Sequence, residues 1–357
     1  MMDKVLLKGN EAIAEAAVRA GCGFFAGYPI TPQSEILEYL SWRLPETGGT
    51  FIQSESELAG VSMVYGACAA GQRAMTSSSG PGYSLLHEGI SYIASAELPC
   101  VFVNVARYGS GLGDIFQGQS DYWCTVKNGG NSDYRCIVLA PNSVQESADL
   151  THLAFDLAEQ HRNPVVLLTD ASIGQMIEPV ELKPAAPHDL DKNPEALNGT
   201  RGGKYKRIWS NMYTIPNYES YIYQKYRDIE KSLSMWEESD TEDAEFVLVA
   251  YGISARIAAE AVRLGRERGL KIGIIRLVSL WPFPKAAFDK LSNVKAYVTI
   301  EMSALGQMCE DVALASGMRA PIFGVHTGGV VPDEEQILRK VETIIAGTAE
   351  EVYRKSC

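Results

Sequence analysis

From Asn10 onward the chain alternates short apolar runs with longer stretches in which apolar residues recur at helical spacing. The pattern predicts a helix over 12–20, stopped by Gly21 and Gly23, then a brief strand over 24–26. A helix over 33–44 follows, since Pro29 and Pro32 bar an earlier start and Thr31 or Ser34 can cap it. Strands are predicted over 50–53, 73–77 and 101–105, with helices over 58–70 and 83–96 between them. The run 101–105 is apolar on nearly every residue, which suits a strand covered on both faces. Strands over 136–139 and 165–168 flank a helix over 144–159. Such alternation implies an α/β fold with a doubly wound, mostly parallel sheet.

Between 182 and 243 the pattern breaks. The stretch is rich in Pro, Asn, Lys and Tyr and carries one predicted helix, over 222–236. It reads as an interdomain connection or contact surface, with Tyr205, Trp209, Tyr213, Tyr218, Tyr221 and Tyr223 available for packing. Alternation then resumes, with strands over 246–250, 271–277, 296–300 and 322–325 and helices over 254–268, 283–291 and 306–315. The expected division is a first α/β domain over 1–185, a connecting excursion over 186–242 and a smaller α/β domain over 243–357.

A length of 357 residues suits two domains. Lys and Arg number 32 against 44 Asp and Glu, a net charge of −12, which argues against nucleic acid or an anionic membrane surface as partner. The seven cysteines form no Cys-x-x-Cys pair and mostly sit in apolar runs, so disulfides, thiolate-bound metal and iron–sulfur clusters are not expected in this chain. The histidines show no ligand spacing, and no metal site is expected. The first residues are too charged for a secretory signal, and no run approaches the ~20 apolar residues of a membrane helix. A cytoplasmic location is therefore expected.

Ligands of open parallel sheets bind beyond the carboxyl ends of the strands. Three polar sets fall there. In Tyr28-Pro29-Ile30-Thr31-Pro32 two prolines stiffen a loop and leave the Thr31 hydroxyl at a helix entrance, where capping is the commoner use. Glu55-Ser56-Glu57 opens a helix, where carboxylates are ordinary. Glu57, with Leu58, Ala59 and Val61 beside it, is the one suited to sharing a proton. Arg107 stands just past an apolar strand, placed either for a ligand carboxylate or for a surface ion pair. Ser79-Gly80-Pro81-Gly82 lacks the Lys and spacing of a P-loop and reads as a strand-to-helix turn.

These residues resemble a known family. Tyr28-Pro29-Ile30-Thr31-Pro32, Gln53-Ser54-Glu55-Ser56-Glu57 and Thr76-Ser77-Ser78-Ser79-Gly80-Pro81-Gly82 are similar to the alpha subunit of 2-oxoacid:ferredoxin oxidoreductases, nearest the 2-oxoisovalerate type and then the 2-oxoglutarate type. Tyr251-Gly252-Ile253-Ser254-Ala255-Arg256 and the segment from Arg276 to Pro284 resemble the transketolase C-terminal-like domain that follows the pyrimidine-binding domain. The resemblance implies thiamine diphosphate as cofactor, coenzyme A as acyl acceptor and ferredoxin as electron acceptor. It gives Glu57 the cofactor's pyrimidine ring, Thr31 and Arg107 the substrate carboxylate, and Tyr28, Pro29 and Ile30 the cofactor's surroundings. A Gly-Asp-Gly run with a following Asn would hold diphosphate and magnesium, and Gly113-Asp114-Ile115 with Asn142 is only a partial echo. The resemblance thus implies half a cofactor site, with a beta subunit supplying the diphosphate half, magnesium and iron–sulfur cluster, and gamma and delta subunits as further partners. Other readings are 2-oxoglutarate or pyruvate as substrate, a non-catalytic assembly subunit, whose mark would be the loss of the acid at Glu57, and a self-sufficient carboligase.

Overall fold

The computed structural model describes residues 4–185, 196–197 and 215–352. Seven strands form the first sheet, in the spatial order Ser279–Trp281, Ile137–Leu139, Pro164–Asp170, Cys100–Ala106, Ala74–Ser78, Phe24–Gly27, Thr50–Gln53. All pair in parallel except Ser279–Trp281, which runs antiparallel along Ile137–Leu139. The two central strands, Cys100–Ala106 and Pro164–Asp170, are buried at every residue, as helices on both faces require.

The winding fixes where a ligand can sit. From Phe24–Gly27 the chain crosses to Thr50–Gln53 on one side, then passes back over to Ala74–Ser78 on the other. Connections therefore leave in opposite directions at the boundary between Phe24–Gly27 and Ala74–Ser78, and the crevice at their carboxyl ends is the switch point.

A second sheet of five strands has the order Ile322–His326, Ala296–Glu301, Phe246–Ala250, Ile272–Leu277, Trp236–Ser239, with Trp236–Ser239 antiparallel. Val5–Lys8 and Ile177–Val180 make a separate antiparallel ribbon. The two sheets are interlocked. Strand Ser279–Trp281 leaves the second unit to extend the first sheet, and Gln119, buried in the loop after Arg107, ties the units together. Its Oε1 accepts from Ser254 Oγ (2.7 Å) and Met302 N (2.9 Å), and its Nε2 donates to the Tyr251 carbonyl (3.0 Å).

Several boundaries differ from the sequence expectation for identifiable reasons. The helix expected over 222–236 is Tyr218–Ser232, because Trp236–Ser239 pairs with Ile272–Leu277. The helix expected over 283–291 shrinks to Ala286–Asp289, since Pro282 and Pro284 keep the chain extended before it. The helix after Ala74–Ser78 starts at Gly80 rather than 83, with Pro81 in its first turn, where a missing N–H costs nothing. In the 186–242 excursion, Tyr205, Trp209 and Tyr213 lie outside the described residues. The described part packs on the first sheet's unit: Tyr221 Oη donates to Glu97 (2.6 Å) and Lys225 pairs with the same carboxylate (3.1 Å).

Candidate active site

Three chain segments converge at the switch point. Gly27 ends the strand that leads into the Tyr28–Pro32 loop, Ser78 ends the strand Ala74–Ser78, and Glu57 begins the helix Glu57–Ala69. Ser56 caps that helix, its Oγ accepting from Ala59 N (3.2 Å), so Glu57 is left to point inward and is only 5% exposed. Its Oε1 accepts from Ser78 Oγ at 3.2 Å. A Cβ on Gly82 would fall 2.0 Å from that Oε1 and 2.4 Å from Ser78 Oγ. The first turn of helix Gly80–Ser95 thus closes on the carboxylate through a position without a side chain.

Arg107 belongs to the same corner and is also 5% exposed. Its Nη1 donates to the Thr31 carbonyl (2.8 Å) and its Nη2 to the Leu112 carbonyl (2.5 Å). Its buried Nε has no partner and faces Gly80, whose added Cβ would approach to 2.7 Å. Among the described residues no carboxylate forms an ion pair with this guanidinium. The surface-ion-pair alternative therefore does not describe Arg107: it is a buried cation hydrogen-bonded to neutral carbonyls, with the Asp121 carboxylate near enough to feel its charge.

Thr31 is exposed at the mouth of the crevice. Neither it nor Ser34 caps the following helix: Gln33 holds the N-cap position of Ser34–Glu46, without a side-chain cap bond. The hydroxyl of Thr31 is thus not used for capping. Tyr28 and Pro29 are exposed and Ile30 is half-buried.

Spacing alone missed the groups that hold this loop. Buried Gln33 donates through Nε2 to the Tyr28 carbonyl (3.1 Å) and accepts at Oε1 from Ser77 Oγ (2.6 Å), joining the loop to the neighbouring strand. Asn10 Nδ2 donates to the Pro32 carbonyl (2.8 Å) from the first helix. Gly80 and Gly82, read from sequence as turn residues, instead lie in the first turn of the helix Gly80–Ser95 behind its N-cap Ser79, and they bring Arg107 and Glu57 to one helix end. Buried Ser79 Oγ beside them lacks a hydrogen-bond partner, as does Arg107 Nε, so this helix end holds two unsatisfied buried polar atoms. Asp114 and Asn142 do not form a paired site: Asp114 sits in the exposed loop after Arg107, and Asn142 follows strand Ile137–Leu139 and donates its N–H to Glu146 (2.9 Å).

Comparison with known proteins identifies the family of this fold. Residues 15–239 match the family described as pyruvate flavodoxin/ferredoxin oxidoreductase, thiamine diphosphate-binding, and residues 244–337 match pyruvate:ferredoxin oxidoreductase core domain II. The chain is 46% identical to ketoisovalerate oxidoreductase subunit VorB of Methanothermobacter marburgensis, over 95% of this chain and 97% of that one. It is 37% identical to 2-oxoglutarate synthase subunit KorA of Methanocaldococcus jannaschii, covering 94% and 98%. Among solved structures, 2-oxoglutarate:ferredoxin oxidoreductase from Magnetococcus marinus, with 2-oxoglutarate, coenzyme A and succinyl-CoA bound, superposes with a TM-score of 0.85 at 25% identity, over 96% of this chain and 66% of that chain. A split-gene transketolase shares the fold, at a TM-score of 0.59 and 13% identity, over 95% of this chain and 98% of that one. The fold is that of a transketolase-like α/β chain, and its first region matches a thiamine-diphosphate-binding domain. The chain belongs to the 2-oxoacid:ferredoxin oxidoreductase family. Among the described residues no helix is long and apolar enough to cross a membrane.

Proposed function

We propose that this chain is the alpha subunit of an enzyme that oxidatively decarboxylates a branched 2-oxoacid of the 2-oxoisovalerate type, with coenzyme A, to an acyl-CoA, carbon dioxide and reduced ferredoxin. The observation that carries the reading is the joint placement of Glu57 and Arg107 at one helix end: Gly82 against the Glu57 carboxylate, Gly80 against the Arg107 guanidinium, two residues apart. Domain 1–185 is the pyrimidine-binding half, 186–242 the connection, and 243–357 the transketolase C-terminal-like unit.

Thiamine diphosphate, when bound, supplies an electron sink for the carbon that loses carbon dioxide. Glu57, fixed by Ser78, would hold a proton shared with a pyrimidine ring nitrogen of the bound cofactor. Arg107 and the free Thr31 hydroxyl bind the substrate carboxylate, and the Tyr28–Ile30 segment flanks cofactor and substrate. Tyr28 and Ile30 offer an apolar wall, which supports a branched alkyl substrate over 2-oxoglutarate. The crevice is open on the side of Thr31 and of Leu112, Ile115 and Phe116, which are 82%, 56% and 59% exposed. That openness supports a beta subunit closing the site and carrying the diphosphate-binding half, magnesium and the iron–sulfur cluster, with gamma and delta subunits completing the complex. A cytoplasmic enzyme fits these partners.

Glu57→Gln in the complex reconstituted with its beta partner is expected to abolish 2-oxoacid-dependent ferredoxin reduction while the complex still assembles. Unchanged turnover would overturn the role of Glu57. Comparing 2-oxoisovalerate, 2-oxoglutarate and pyruvate on the wild-type complex tests the substrate class, with highest kcat/KM expected for 2-oxoisovalerate.

A further inference from the structure

Away from the switch point, three side chains of different chemistry meet inside the second sheet's unit. Strands Ala296–Glu301 and Ile322–His326 are parallel neighbours in a register that pairs Glu301 with His326, so both side chains emerge at the same carboxyl edge. Cys309 opens the helix Cys309–Ser316 that lies over this edge. Glu301 Oε1 lies 3.7 Å from His326 Nε2, and Nε2 lies 3.7 Å from Cys309 Sγ. One ligand atom from each of the three lies within 4.8 Å of the others. Thr299, two residues before Glu301 on the same strand face, places its hydroxyl 3.0 Å from His326 Nε2 and 3.1 Å from Cys309 Sγ.

The cluster is built rather than incidental. Glu301 is fully buried, Cys309 is 3% exposed, and the His326 side chain is 12% exposed. A Cβ on Gly306 or Gly324 would come within 2.1 or 2.2 Å of the His326 ring, so two glycines make its slot and fix its orientation. The Glu301 carboxylate receives the Met308 N–H (3.1 Å) and, among the described residues, no Lys or Arg neutralises it.

We infer that Glu301, Cys309 and His326 bind a borderline-soft divalent cation of the zinc class, with the Thr299 hydroxyl at the remaining corner. Tetrahedral bonds of about 2.0 Å to nitrogen and oxygen and 2.3 Å to sulfur set donors roughly 3.3–3.5 Å apart, so the 3.7 Å separations of His326 from Glu301 and Cys309 and the 3.0–3.1 Å separations of Thr299 each need a shift of only a few tenths of an ångström. A mixed carboxylate, imidazole and thiolate set favours zinc over calcium or magnesium, which prefer oxygen alone. Thiolate and carboxylate together carry two negative charges, so a divalent cation renders the buried site neutral. Binding releases the thiol proton and any carboxyl proton to solvent. The site has a structural consequence. It pins the 301–309 segment from which Met302 N and Gln307 bond to the first sheet's unit, Gln307 accepting from Trp123 N (2.8 Å) and donating to the Ser120 carbonyl (2.7 Å).

Full-length chain, stripped with chelator and dialysed against zinc, should hold about one zinc per chain by elemental analysis, and its thermal midpoint should rise on reloading. Cobalt in place of zinc should give a thiolate-to-cobalt charge-transfer band. His326→Gln and Cys309→Ser should each lower metal affinity at least about tenfold, and Cys309→Ser should abolish the cobalt band. A folded wild-type chain that takes up no zinc and shows no such band overturns the assignment. So does zinc uptake unchanged in both variants.

Discussion

Replacing Gly82 with alanine would set a methyl carbon 2.0 Å from Glu57 Oε1 and 2.4 Å from Ser78 Oγ. Comfortable contact needs about 3.5 Å, so the gap is short by roughly 1.5 Å. The carboxylate has little room to yield, being 5% exposed and bonded to Ser78, and the helix start is held by Pro81 and by the Gly80–Arg107 contact. Either the Glu57 oxygen or the first helical turn must shift by about 1 Å, and a displacement of that size at a proton-handling group costs on the order of 10²-fold in rate. Gly82→Ala is therefore expected to lower turnover about 100-fold in the reconstituted enzyme, followed as 2-oxoacid-dependent reduction of ferredoxin or a viologen dye. Gly66→Ala is the matched control on helix Glu57–Ala69. A Cβ there meets nothing within 4 Å. It should leave turnover intact and stabilise the chain by about 0.5–1 kcal/mol, since alanine loses less backbone freedom on folding. Wild-type turnover in Gly82→Ala would refute the convergence of Glu57, Ser78 and Gly82 at a working site. Equal losses in both variants would refute the reasoning from close approach.

Arg107→Met should lower kcat/KM for the 2-oxoacid by about 2–4 kcal/mol, or roughly 30- to 1000-fold, because a buried charge-assisted contact to a carboxylate is lost. Steady-state kinetics on the complex check this, and unchanged kcat/KM would remove Arg107 from substrate binding. Asp170 caps the helix Ala171–Gln175 through Ser172 N (2.8 Å), and burial holds its carboxyl up at about 6. The folded chain thus binds this proton more tightly than the unfolded chain. The stability so contributed is complete below about pH 4, is lost as pH rises through about 6, and amounts to about 3 kcal/mol. Asp170→Asn should flatten the dependence of unfolding free energy on pH between about 4 and 6, and identical slopes in denaturant titrations would contradict it.

Strands such as Cys100–Ala106 and Phe246–Ala250 were legible because burial on both faces writes an unbroken apolar run. Ser279–Trp281 was not, since three residues carry no period and their partner, Ile137–Leu139, lies far away in sequence. The helix Glu334–Ile345 was not among the predicted elements, although Asp333 caps it and its buried Ile337, Leu338 and Val341 recur at helical spacing. The site divides the same way. Glu57, Thr31 and Arg107 announced themselves as polar residues at strand ends, and the family resemblance supplied their roles. What spacing could not express is which strand ends meet, because that depends on the crossover reversing between Phe24–Gly27 and Ala74–Ser78. Gly80 and Gly82 looked like turn punctuation for that reason: a glycine needed for a turn and one needed for contact with a distant carboxylate are the same letter. The group at Glu301, Cys309 and His326 hides in the same manner. Its separations of eight and seventeen residues match no ligand motif, and only the parallel register of two neighbouring strands brings the imidazole beside the carboxylate. In a parallel sheet every strand delivers its last side chain to one edge, so chemistry accumulates there from segments with no local relation. The winding order, more than the spacing of residues, decides which of them form a site.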